Sequence, residues 1–215
     1  MSEEIVVVVA GGEPPHMDAV RAIPVGAPVV AADRGLDHAR ALGLDVTIAV
    51  GDFDSASPEA VAAAKAEGVR IERHPAAKDA TDLELALDAA LELDPARILV
   101  LAEGGGRLDH LLSAFLLLGS PRYAAVQLDA YLGRARVHVI RGERALEGEA
   151  GELVSLFALH GPAGGVRTEG LRYPLAGETL EPGSSRGISN LFVGQHARVV
   201  VERGVLVAVL PGVDR

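Results

Sequence analysis

The chain has 215 residues, 49% of them apolar and 23% charged, a length for one large domain or two small ones and a composition that excludes general disorder. It has no cysteine, which excludes a disulfide framework and a thiolate metal site, and its net charge of −10 argues against gripping nucleic acid by its backbone. Its apolar runs are too short to span a membrane or to form a signal-peptide core, so a soluble, cytoplasmic protein with no membrane partner is expected.

Along residues 1–131, short apolar runs alternate with helical patterns. Segments 5–10, 28–32, 46–50, 69–73, 97–102 and 124–131 read as strands, and several are continuously apolar, as parallel strands buried on both faces are. Between them, 36–42, 58–67, 81–93 and 108–119 have helical composition or spacing; in the third, Leu83, Leu87, Ala90 and Leu91 share one face. The alternation predicts a doubly wound α/β domain with a mostly parallel sheet, which binds ligands beyond the carboxyl ends of its strands. From residue 133 the pattern becomes short and β-branched: 134–140, 152–159, 166–173, 188–193, 197–202 and 205–210, separated by Gly/Pro turns. That predicts a small all-β sandwich domain, with domains at 1–131 and 132–215. Acids outnumber bases 21 to 10 in the first part and number 9 to 10 in the second, and twelve of the thirteen aspartates fall in the first.

Four clusters lie where such a sheet places its ligand. Asp33 and Gly35 follow the second strand. Gly51-Asp52-Phe53-Asp54-Ser55 follows the third, and its two aspartates, two residues apart, face one way in an extended chain. Like charges so close favour a hard divalent cation such as Mg²⁺, although an acidic turn with local backbone bonds is the simpler reading. Lys78-Asp79-Ala80-Thr81-Asp82 opens a helix. Asp79 with Asp82, or Thr81 with Glu84, would cap it, which leaves unexplained why one of only two lysines stands there beside eighteen arginines in the chain. Glu103-Gly104-Gly105-Gly106-Arg107-Leu108-Asp109-His110 joins a strand to a helix: glycines let a ligand approach the backbone, the helix N-terminus attracts anions, and Arg107 is a bidentate phosphate donor. In the second part, Gly187-Ile188-Ser189-Asn190 carries the only Asn of the chain. Ser189 and Asn190 can offer donors and acceptors to a heterocycle.

Ala32-Asp33-x-Gly35, Gly51-Asp52-Phe53-Asp54-Ser55, Lys78-Asp79-x-Thr81-Asp82, Gly105-Gly106-Arg107-x-Asp109-His110 and Gly187-x-Ser189-Asn190, in this order, resemble the motifs of the thiamine pyrophosphokinase (thiamine diphosphokinase) family, bacterial type. The resemblance implies transfer of a pyrophosphoryl group from ATP to the hydroxyl of thiamine, giving AMP and thiamine diphosphate. It implies an ATP/Mg-binding catalytic domain at 1–131 and, at 132–215, a sandwich that contributes to thiamine binding and dimerisation. Asp33, Asp52, Asp54, Asp79 and Asp82 would be Mg²⁺ ligands, directly or through water. Asp52, Asp54, Asp82, Lys78 and Arg107 would be catalytic; Asp33, Gly35, Gly105, Gly106, Arg107, Asp109 and His110 would bind ATP. Ser189 and Asn190 would hold the pyrimidine end of thiamine, with Phe192 the candidate for stacking on it. The family resemblance also implies a homodimer with sites shared between subunits. A pyrophosphokinase for another heterocyclic alcohol, such as a hydroxymethylpterin, would differ at 187–190; a non-catalytic sensor of thiamine diphosphate or nucleotide would need fewer acids.

Overall fold

The computed structural model describes residues 5–77 and 79–212. Two compact units emerge: residues 1–114 with 126–134, and residues 115–125 with 135–215. The first unit contains β1 (Ile5–Val9), α1 (Met17–Arg21), β2 (Val29–Ala32), α2 (Gly35–Ala41), β3 (Val46–Gly51), α3 (Pro58–Ala66), β4 (Arg70–Arg73), α4 (Asp82–Leu91), β5 (Arg97–Ala102) and β6 (Gln127–Leu132). The helix α5 (Leu108–Leu118) begins in it. Its strands are all parallel, in the order β6-β5-β1-β2-β3-β4. Val6–Val9 and the β2 strand are almost wholly buried, which is why their sequence is continuously apolar rather than alternating. The chain moves outward from β1 through β4 and then returns to the other side of β1 as β5. Strand order therefore reverses between β1 and β5, and sheets of this kind take their ligands at the carboxyl ends beside such a reversal.

Helix starts follow their local chemistry. Ser57 caps α3, accepting from the Ala60 N–H at 3.2 Å with Pro58 behind it. Thr81 caps α4 by accepting from the Glu84 N–H at 3.2 Å, so of the two capping arrangements open in the sequence the inner one forms, and Asp82 is left in the first helical turn. The five-residue α1 lies in a segment that gave no helical signal.

The second unit is antiparallel throughout. Strand β11 (His196–Leu210) lies between β7 (Ala135–Glu147) and β8 (Leu153–Glu169), and β9 (Ala176–Leu180) and β10 (Asn190–Leu191) pair with β8. The expected strands at 152–159 and 166–173 are one continuous β8 as far as Glu169, and those at 197–202 and 205–210 are one β11. Glycines in left-handed or otherwise open conformations, Gly165 (φ 68°) and Gly204 (φ 88°), bend these strands with register shifts instead of ending them. The expected strand at 188–193 shrinks to the two residues of β10.

Candidate functional site

At the carboxyl end of β2, Asp33 adopts a left-handed conformation (φ 47°), and its N–H bonds to the Val50 carbonyl at 2.8 Å. Asp33 is largely buried; Oδ2 accepts from the Ser55 hydroxyl, whereas Oδ1 has no hydrogen-bond partner among the described residues. At the end of β3 the backbone turns through Gly51 (φ 147°) and a buried, left-handed Phe53 (φ 60°), and the Asp54 N–H donates to Asp52 Oδ1 at 3.1 Å. Arg73, closing β4, holds this turn from outside: its guanidinium donates to the Asp52 carbonyl at 2.9 Å and lies 5.2 Å from the Phe53 ring centre. The result is that carboxylate oxygens of Asp33, Asp52 and Asp54 lie within 4.8 Å of one another.

Asp82 completes the setting. A Cβ at Gly51 would lie 3.2 Å from Asp82 Oδ1 and 3.2 Å from the Asp33 Cβ, so the absence of a side chain at Gly51 makes room for both acids. The Asp54 carboxyl is held above its ordinary range, chiefly by the charge on Asp52, then by partial desolvation and by Asp33 and Asp82. Asp79 is exposed and is not part of the three-carboxylate group. Lys78 lies outside the described residues.

The β5–α5 loop uses its glycines in different ways. A Cβ at Gly104 would come within 2.7 Å of the backbone of Leu132 and Gly133, so this glycine serves packing. Gly105 has open space where its side chain would be, and Gly106 is left-handed (φ 70°). Arg107 and Asp109, both exposed, form an ion pair at 2.6 Å that holds the Asp109 carboxyl down at about 2. A phosphate reaching Arg107 competes with that carboxylate. His110 is exposed in the first turn of α5. Gly35 is buried, and any side chain there would collide with the Val9 carbonyl; close helix–strand packing therefore accounts for it.

Arg73 and the Gly11-Gly12 pair escaped the sequence reading, and Glu103, at the head of the fourth cluster, received no role in it. The pair directly follows the buried β1 strand, which was the available signal. The buried His38 ring lies 2.9 Å from the Gly12 carbonyl and ties that loop to α2.

In the second unit, Asn190 is buried and its amide is largely engaged. Oδ1 accepts from the Tyr173 N–H at 3.0 Å and the Leu191 N–H at 2.9 Å, and Nδ2 donates to the Tyr173 carbonyl at 2.8 Å. Ser189 is exposed and left-handed (φ 56°), and its N–H donates to Ser155 Oγ at 3.0 Å. A cavity of about 160 Å³ is lined by Tyr173, Ser185, Arg186, Gly187, Ile188 and Asn190, among others. Phe192, expected to be a stacking group, is only 2% exposed and packs in the core of this unit, while Tyr173 at the cavity is 56% exposed.

Residues 26–128 match the family described as "Thiamin pyrophosphokinase, catalytic domain", and residues 137–206 match "Thiamin pyrophosphokinase, vitamin B1 binding domain". The chain is 27% identical over 181 residues to the thiamine pyrophosphokinase of Bacillus subtilis (strain 168), covering 81% of this chain and 85% of that one. Among solved structures, it is similar to thiamine pyrophosphokinase from Bacillus subtilis (TM-score 0.82, 25% identity, 95% and 97% of the two chains). It is also similar to that from Geobacillus thermodenitrificans (TM-score 0.78, 27% identity, 95% and 96%).

Proposed function

The chain belongs to the thiamin pyrophosphokinase family, and from that premise we propose how its own residues carry the family's reaction, ATP and thiamine giving AMP and thiamine diphosphate. The observation that carries the proposal is the group of Asp33, Asp52 and Asp54 at the carboxyl edge of the parallel sheet, with Asp82 beside it. Divalent-cation chemistry fits this donor set: three converging carboxylates, one of them with a buried oxygen that has no hydrogen-bond partner among the described residues. Asp33, Asp52, Asp54 and Asp82 would hold Mg²⁺. When bound, the ion supplies neutralisation of phosphate charge.

The remaining work falls to the chain. Gly105 and the start of α5 present backbone N–H groups to phosphate oxygens, and Arg107 exchanges Asp109 for phosphate. Lys78 is assigned to phosphate from its sequence position. The thiamine hydroxyl attacks the β-phosphorus and AMP leaves. Asp54, the most exposed of the three clustered acids, takes the hydroxyl proton. Ser189 and the cavity beside Tyr173 support a thiamine subsite in the second unit, read as a small sandwich domain within 132–215, in which Asn190 acts by fixing the Tyr173 backbone. A homodimer is supported by Leu108, Leu112 and Leu116, a stripe at intervals of four residues along α5 that is 49–66% exposed. Sites shared between the two subunits and a cytoplasmic location complete the reading.

Product analysis tests it. With ATP, Mg²⁺ and thiamine, AMP and thiamine diphosphate should form in equal amounts. ADP with thiamine monophosphate would refute it, and turnover of a hydroxymethylpterin in preference to thiamine would move the acceptor.

A further inference from the structure

Glu103 sits where strand order reverses, just beyond the end of β5, and its carboxylate bridges two loops. One oxygen, Oε2, lies against Gly12 in the loop after β1, and the other, Oε1, lies against Gly106 in the loop after β5; a Cβ at either glycine would collide with it. Both glycines have positive φ, 92° and 70°, so two separate backbone segments are shaped around this one side chain. Among the described residues the carboxylate makes no hydrogen bond or ion pair, and the nearby Arg107 is committed to Asp109. Packing alone would be served by an apolar side chain at less desolvation cost. An unmatched anion is also unsuited to phosphate. What it suits is an uncharged group with paired donors next to a phosphate, and the part of a nucleotide that answers this description is the ribose with its two vicinal hydroxyls.

We propose that Glu103 is the ribose-binding and sugar-specifying residue of the nucleotide site, accepting hydrogen bonds from the 2′- and 3′-hydroxyls. This rests on ATP being the co-substrate and assigns the sugar end of the same site. It also gives Gly12 its purpose, since the loop after β1 must lack a side chain there for the carboxylate to stand between the two loops.

The test compares ATP with 2′-deoxy-ATP and 3′-deoxy-ATP as co-substrates for the wild-type protein, Glu103→Gln and Glu103→Ala, and compares AMP with 2′-deoxy-AMP by calorimetry. The wild type should lose about tenfold or more in kcat/KM with each deoxy nucleotide, the order expected for removing a hydrogen bond to a charged acceptor. Glu103→Ala should process all three nucleotides within about twofold of one another, with KM for thiamine unchanged, and Glu103→Gln should fall between. AMP should outbind 2′-deoxy-AMP in the wild type and not in Glu103→Ala. If Glu103 merely props the loops, its substitution lowers all three nucleotides equally and leaves their ratio intact, which overturns the proposal; so does a wild type indifferent to the sugar. Failure of the functional reading looks different: no thiamine-dependent AMP formation from ATP at all, whereas the calorimetric comparison still decides the role of Glu103.

Discussion

Arg73→Ala is the perturbation that most directly tests how the acid cluster is held. Phe53 occupies left-handed backbone space, which costs a residue with a Cβ about 1 kcal/mol. Its ring is buried, and Arg73 fastens the same turn through the Asp52 carbonyl and the ring face. Arg73 is exposed, so the hydrogen bond is discounted to about 1 kcal/mol and the cation–π contact to about 0.5–1 kcal/mol. Together these match or exceed the strain they oppose. Without Arg73 the turn should relax part of the time and carry Asp54 away from Asp33 and Asp52. On that balance the converged arrangement falls from about 70–85% of the population to about 15%, which raises the Mg²⁺ concentration for half-maximal turnover by about fivefold. Turnover at saturating Mg²⁺ should fall much less, because the metal itself can draw the acids together. The assay is an Mg²⁺ titration at saturating ATP and thiamine, with Arg73→Gln, which keeps a side-chain donor, expected in between. An unchanged Mg²⁺ requirement in folded Arg73→Ala would refute the reasoning and leave Arg73 an ordinary surface residue.

The raised Asp54 carboxyl gives a pH dependence: protons compete for the cluster as pH falls through a value above 3.8, so Mg²⁺ affinity should weaken on the acid side. Because a raised native pKa favours the protonated fold, the contribution of Asp54 to metal-free stability is present at low pH and lost as pH rises through that value; Asp52→Asn, which removes its largest cause, should shift the Asp54 titration downward in carboxyl NMR. Arg97 and Asp129 form a pair at 2.5 Å with Asp129 almost fully buried, so Arg97→Met should destabilise the fold by about 3 kcal/mol in denaturant titrations. Arg97→Met with Asp129→Leu should recover most of that loss; a double variant no better than the single would contradict the account. Leu112→Glu, in the exposed stripe of α5, should shift the protein from dimer to monomer in sedimentation, and a wild-type monomer would remove the dimer reading.

What the sequence disclosed depended on whether the signal was local. Continuous apolar runs such as 5–10 and 97–102 identify parallel strands because burial on both faces erases alternation, and acids that directly follow those runs fall on the binding edge by topology alone. Asp33, Asp52 and Asp54 were legible for that reason, and Asp82 only as an acid at the start of a helix. Competing local signals were not: Asp79 and Thr81 are equally good caps in sequence, and only the packing of α4 decides that Thr81 caps and that Asp82, not Asp79, stands beside Gly51. Contacts distant in sequence left still less trace. Asn190 looks like a ligand-binding amide until Tyr173 is brought against it by the bridge between Leu171 and Phe192 and the bond from the Arg172 N–H to the Leu191 carbonyl. Gly12 and Gly106 advertise flexible loops, yet each is open because one carboxylate, Glu103, occupies the space of its missing side chain. A glycine records that something comes close without recording what, and between these two loops the thing that comes close is the acid that the reading by motif passed over.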